Sequence, residues 1–214
     1  MKGNIYLIGG GEIAKGETRE IDLALMNEAP QGSSFVFFGT AAGESEGYFA
    51  TISSVFGEHF TVGEVKKGEG RDVALAKIKS AAVIYLGGGT TQLLLDLFSE
   101  WDLVPSLREA HERGCIIAGM SAGALALSSW YIHEEENREE NHQALKQGWG
   151  LVNVCTLVHA TPERTASAKA LWESDAQGSG DANESTFLAI NEGSTWCINE
   201  SEPAGSEQVE KIAP

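Results

Sequence analysis

The residue order predicts an α/β fold, an open and mostly parallel β-sheet flanked by helices on both faces. Two observations predict it. Short apolar runs rich in Ile, Val, Leu and Phe recur, each followed by glycine or a small polar residue and then by a longer stretch with helical spacing. Most of the early runs lack the apolar/polar alternation of a half-exposed strand, as expected of parallel strands buried on both faces.

In chain order, the first strand is expected at Asn4–Ile8, which ends on three glycines, with a helical stretch at Ile21–Asn27. A second apolar run, Ser34–Phe38, stops at Gly39 and precedes the helical stretch Tyr48–Phe56. Helical spacing at Val73–Lys79 leads into the strand Ala82–Leu86, closed by Gly87-Gly88-Gly89. Helices at Thr91–Phe98 and Val104–Arg113 precede the strand Cys115–Ala118, and another helical stretch covers Gly123–Ser128. Three further strands are expected at Thr156–His159, Thr186–Ile190 and Thr195–Asn199. The charge-rich Glu134–His142 (EEENREENH) reads as a solvated loop or an exposed helix face. The tail from Glu200 onward, with Pro203 and Gly205, reads as a polar end with some mobility. With no internal repeat and no linker, one domain is expected over residues 1–214.

Composition narrows the function classes. The 214 residues are 42% hydrophobic, which supplies one substantial core. Acidic residues outnumber basic ones by 31 to 15, and the formal charge of -16 makes nucleic acid and anionic membranes poor partners. No run approaches the roughly 20 apolar residues of a membrane span. Cys115, Cys155 and Cys197 each sit in an apolar run without zinc-type spacing, so they read as buried thiols, and no metal or cofactor is expected. Odd cysteine usage and the short apolar segment Ile5–Ile8 before glycines make a cytoplasmic location the expectation.

The chemistry centres on Gly119-Met120-Ser121-Ala122-Gly123, a G-x-S-x-G segment set between an apolar run and a helix-compatible run. In that context small residues permit a strained turn and close strand–helix packing, lifting the hydroxyl of Ser121 above the sheet edge. The amide of Ala122 would then face developing negative charge on a carbonyl oxygen. Gly87-Gly88-Gly89 opens onto the same edge, and Gly88 is the candidate second oxyanion donor, with an anion cradle as the alternative use of such a turn. Gly9-Gly10-Gly11 reads as a turn.

A serine nucleophile needs a base. His159 ends an apolar run before the turn-forming Ala160-Thr161-Pro162, so it is expected at a strand end on the edge that carries Ser121. His111 and His142 read as surface residues, while His133 and His59 stay open. For the carboxylate that orients the base, Glu192 in the Asn191-Glu192-Gly193 turn competes with Glu134, Glu135 or Glu136.

At these residues the sequence resembles the serine peptidase family that contains aspartyl dipeptidase (peptidase E) and cyanophycinase. The likeness runs from Ile5–Glu12 through Phe38–Ala42 with Ser45 and Tyr48, and Gly87–Gly89 with Thr91 and Leu93-Leu94, to Gly119–Ala124. It continues at His159 with Arg164 and at Ile190–Ser194. The resemblance implies a flavodoxin-like sandwich related to class I glutamine amidotransferase domains, a Ser121–His159–Glu192 triad, and hydrolysis of small peptides beside an acidic residue. Arg164 would then meet a substrate carboxylate. The chain departs from the family at Thr90 and Asn191, and its arginine-rich stretch is reduced to Arg164 and Lys169. An amidase or esterase, a cyanophycinase-like hydrolase and a non-catalytic ligand-binding relative are the alternatives. A monomer or homodimer is expected.

Overall fold

The computed structural model describes residues 1–135, 142–176, 185–199 and 208–212. In chain order the elements are β1 (Ile5–Ile8), α1 (Arg19–Glu28), β2 (Ser34–Phe38), α2 (Glu46–Phe56), β3 (Thr61–Val65), α3 (Arg71–Ser80) and β4 (Val83–Leu86). Next come α4 (Thr91–Glu100), α5 (Val104–Glu112), β5 (Ile116–Met120), α6 (Ala122–Leu127), β6 (Ser128–Glu135) and β7 (His142–Gln147). The last are β8 (Val152–Leu157), α7 (Pro162–Ala176), β9 (Thr186–Ala189), β10 (Thr195–Asn199) and β11 (Gln208–Ile212).

The main sheet has the order β11-β10-β1-β5-β4-β2-β3. Its five strands from β1 to β3 are parallel, and β10 and β11 add antiparallel at one edge. All four residues of both β1 and β4 are buried, as expected of strands covered on both faces. The two-residue period then decides which helix layer each side chain meets. Leu7, Phe38, Leu86 and Ile117 pack toward α3 to α6, against Ile78, Leu94, Phe98 and Leu107. Tyr6, Phe37, Val83 and Ile116 pack toward α1 and α2, against Ile21, Leu25, Ile52 and Phe56. Phe35 and Phe56 stack there with ring centroids 4.7 Å apart.

A second sheet of order β7-β6-β8-β9 rests on this body. One face contributes Tyr131, Val154 and Leu188 to the core shared with α4 to α6. The other buries Ile132, Cys155 and Leu157 against Ala168 of α7. Ser128 Oγ lies 2.7 Å from Thr156 Oγ1, so even the buried hydroxyls of β6 and β8 are paired.

Four expectations are corrected. The strand foreseen at Thr156–His159 is β8, which begins at Val152, ends at Leu157 and lies in the second sheet, as does β9. Glu134 and Glu135 are strand residues at the end of β6, not loop or exposed helix, while Glu136 lies outside the described residues. Within the tail, residues 208–212 form β11, paired antiparallel with β10, while 200–207 and 213–214 lie outside the described residues. His111 is buried, with Nε2 2.8 Å from the Gly3 carbonyl oxygen. All three cysteines are buried thiols, and burial pushes those of Cys115 and Cys155 up to about 12. Among the described residues no helix is long and apolar enough to cross a membrane.

Candidate active site

Ser121 follows the last residue of β5 with φ 48° and ψ -106°, a conformation that L-residues avoid and that is held where surrounding structure over-determines it. Two bonds do so. Its N–H donates to the Ile8 carbonyl at 2.8 Å, tying the turn to β1, and its own carbonyl accepts from Leu125 N–H at 3.0 Å, starting α6. A Cβ at Gly123 would stand 2.8 Å from Leu86 Cβ, so the last glycine of the motif lets α6 lie directly on β4. Ala122, expected as an oxyanion donor, is the buried first residue of that helix.

His159 reaches Ser121 from the second sheet. Its Nε2 is 2.7 Å from Ser121 Oγ, and its Nδ1 is hydrogen-bonded to Glu192 Oε1. With the ring proton on Nδ1, that nitrogen donates to the carboxylate and Nε2 accepts the hydroxyl proton of Ser121. The histidine stands two residues beyond β8, not at an end of the main sheet as expected. Its N–H donates to the Gly9 carbonyl at 2.9 Å, and its φ is 50°. Glu192 sits in the turn between β9 and β10, where Gly193 N–H donates to the Gly10 carbonyl at 3.1 Å. Of the expected acids, the structure brings Glu192 to the imidazole and places Glu134 elsewhere.

The role of the first glycine turn went unseen in the sequence. Gly10 has φ 137°, and a Cβ there would lie 2.5 Å from Glu192 Oε2 and 2.6 Å from His159 Nδ1. Only a residue without a side chain lets the imidazole–carboxylate pair rest on the backbone after β1. Sequence marks the turn; its collision partners lie about 150 and 180 residues away and have no local signature.

Ser121 and His159 line a cavity of about 530 Å³ together with Gly89, Thr91 and Gln92 at the start of α4 and Tyr131, His133 and Glu134 of β6. Volumes of this order suit small ligands. Gly88, expected as an oxyanion donor, packs beside Ser121 but donates its N–H to Tyr48 Oη at 3.2 Å. The Tyr48 hydroxyl donates in turn to Met120 Sδ at 3.4 Å. Burial raises the Tyr48 pKa, the Gly88 N–H opposes this, and the charge of Asp22 adds to it.

Arg164 also lines the cavity, but its guanidinium is engaged. Nε and Nη2 donate to the Glu134 carboxylate at 2.9 and 2.6 Å, and Nη1 donates to the His159 carbonyl. Burial would raise the Glu134 carboxyl, yet hydrogen bonds from Arg164 and Gln143 and the arginine charge bring it below the usual carboxylate range. Lys146 of β7 completes the charged lining. No cluster of three or more His, Cys, Asp or Glu suited to a metal ion occurs among the described residues.

Fold and site together define an α/β protein with a strained serine turn at the carboxyl edge of a parallel sheet and a histidine–carboxylate pair set against it. The sequence profile of peptidase family S51 matches residues 5–202, and the chain belongs to that family. It is 32% identical over 133 residues to the uncharacterized peptidase YgaJ of Bacillus subtilis (strain 168). That alignment covers 58% of this chain and 56% of YgaJ, little more than half of either. Among solved structures, a peptidase from an acI-B1 Actinobacterium superposes with a TM-score of 0.67 at 19% identity, covering 100% of this chain and 97% of the other. A putative peptidase E protein from Listeria monocytogenes EGD-e gives a TM-score of 0.65 at 18% identity, with both chains covered completely. At these identities the two structures speak to the fold.

Proposed function

We propose that this protein is a serine-type peptidase hydrolysing small peptides, dipeptides with N-terminal Asp among them, through Ser121, His159 and Glu192. The observation that carries the reading is the continuous hydrogen-bond line from Ser121 Oγ through the His159 ring to Glu192.

In this mechanism His159 Nε2 takes the proton of Ser121 as Oγ attacks the peptide carbonyl carbon. Glu192 keeps the imidazole in the required tautomer and stabilises the imidazolium that forms. The tetrahedral oxyanion is met by the amide of Ala122 and by the Gly87–Gly89 turn, where Gly88 exchanges its bond to Tyr48 for one to the substrate oxygen. His159 then protonates the leaving amine, leaving an acyl-enzyme on Ser121. A water molecule, deprotonated by the same nitrogen, hydrolyses the ester and restores the serine.

The test is cleavage of Asp-Leu and Ala-Leu by wild type and Ser121→Ala. Asp-Leu cleavage by wild type, reduced at least 1,000-fold in a variant with unchanged circular dichroism, is the expected result, since triad members act as a unit. Equal turnover by the variant would overturn the nucleophile assignment. Turnover of simple esters or amides but neither dipeptide would place the enzyme among amidases or esterases instead.

A further inference from the structure

We propose that Lys146 is the specificity-determining cation of the Ser121 cavity, recognising a carboxylate on the substrate, and that Arg164 is a positioning residue for His159 and not a substrate anchor. The inference rests on the peptidase reading above for what the ligand is, and on the charge pairing of the cavity for which residue binds it.

Among the described residues the charged lining is Glu134, Lys146 and Arg164, together with the histidines. Arg164 and Glu134 neutralise each other through a two-pronged contact in which both side chains are about 30% exposed, at 28% and 31%. A substrate carboxylate taking that fork would have to displace Glu134 and leave it half-buried without its cation, which is costly. The third donor of Arg164 holds the His159 carbonyl, at a residue whose φ is 50°. The guanidinium therefore links the β6 hairpin to the backbone that aims the imidazole.

Lys146 is different. It is half-buried, and its side chain has no ion pair or hydrogen bond among the described residues. In the β6–β7 register it lies directly opposite Tyr131, so both side chains project from the same face of the hairpin, and both line the cavity. With Glu134 offset by Arg164, the charge of Lys146 is the one left among the described lining residues for a ligand to meet. In a chain of formal charge -16 the long-range field repels anions, so a local cation decides whether an anionic group is accepted. The carboxylate can come from an acidic side chain or from the C-terminus of a dipeptide.

Binding is measured by calorimetry in the Ser121→Ala background, so that it does not depend on turnover, with Asp-Leu, Asp-Leu amide, Ala-Leu and Ala-Leu amide. Adding Lys146→Met is expected to weaken the carboxylate-bearing ligands at least tenfold more than Ala-Leu amide, and Lys146→Arg to restore them. Loss confined to Asp-Leu and Asp-Leu amide identifies the side chain as the recognised group, and loss confined to Asp-Leu and Ala-Leu identifies the C-terminus. Equal weakening of all four, no weakening, or no binding by any of them overturns the assignment. In the otherwise native enzyme, Arg164→Lys is expected to lower kcat at least tenfold for charged and neutral substrates alike with KM within threefold. A rise in KM confined to carboxylate substrates would return the anchor role to Arg164. Labelling of Ser121 by a fluorophosphonate reports separately on the nucleophile, so a wrong specificity residue and a wrong enzyme class give different results.

Discussion

Two side chains of the site, Ser121 and His159, hold positive φ without being glycine, and each is fixed by a backbone bond to the end of β1 or the glycine after it. The strain is concentrated where Oγ must meet Nε2 at 2.7 Å. Gly10 makes the complementary accommodation by omitting its side chain. Gly10→Ala is therefore expected to lower kcat at least 100-fold with KM near the wild-type value, because the new methyl pushes the His159–Glu192 pair away from Ser121 while the cavity walls stay in place. Steady-state kinetics together with fluorophosphonate labelling of Ser121 would check it. Wild-type kcat in this variant would mean the pair is not seated on Gly10 during turnover.

At the level of elements, each member of the proposed triad is delivered by a different one. The turn between β5 and α6 carries Ser121, the segment after β8 carries His159, and the turn before β10 carries Glu192. Helix α1 carries an unused acid. Asp22 is buried, accepts one bond from Thr18 Oγ1 at 2.9 Å, and has its other oxygen without a partner. Burial pushes its carboxyl up to about 6, with the Thr18 bond opposing the shift. The folded protein thus keeps a proton that the unfolded chain releases near pH 4, so stability falls as pH rises from about 4 to about 6 and levels off above, by on the order of 3 kcal/mol. Asp22→Asn is expected to abolish that slope. Thermal unfolding of both proteins from pH 4 to pH 8 measures it, and parallel curves would show that Asp22 does not titrate in this range.

Across the whole molecule, core residues of equal burial differ in how near they stand to the Ser121–His159 pair. Ile78 of α3 and Leu157 of β8 are both almost fully buried, and truncating either to Ala is expected to cost about 2–5 kcal/mol. Leu157 packs in the cluster that fixes the second sheet against α7, two residues before the imidazole, whereas Ile78 packs under the main sheet away from the cavity. At a temperature where both variants remain folded, only Leu157→Ala should lower kcat. Circular dichroism melts paired with kinetics would decide, and an equal loss of kcat in both would mean the second sheet does not act independently in placing His159.

The parallel strands were legible because runs such as Ile5–Ile8 and Val83–Leu86 carry their burial in their own composition, and G-x-S-x-G was legible because a strained turn needs small residues at fixed local spacing. β3 was missed because Gly63 and Glu64 interrupt its apolar pattern at a sheet edge. α7 was missed because alanines and serines leave it little amphipathic contrast, and the β6–β7 hairpin because its charged end reads as loop. By itself the sequence determined the α/β class, the strand–turn–helix at Ser121 and a short set of candidate bases and acids, since these depend on neighbours within a few residues. Only the tertiary structure decided that His159 arrives from a second sheet, that Glu192 rather than Glu134 meets it, that Arg164 is already paired and that Gly10 must lack a side chain. Those outcomes depend on which distant surfaces are pressed together, and no local pattern encodes that.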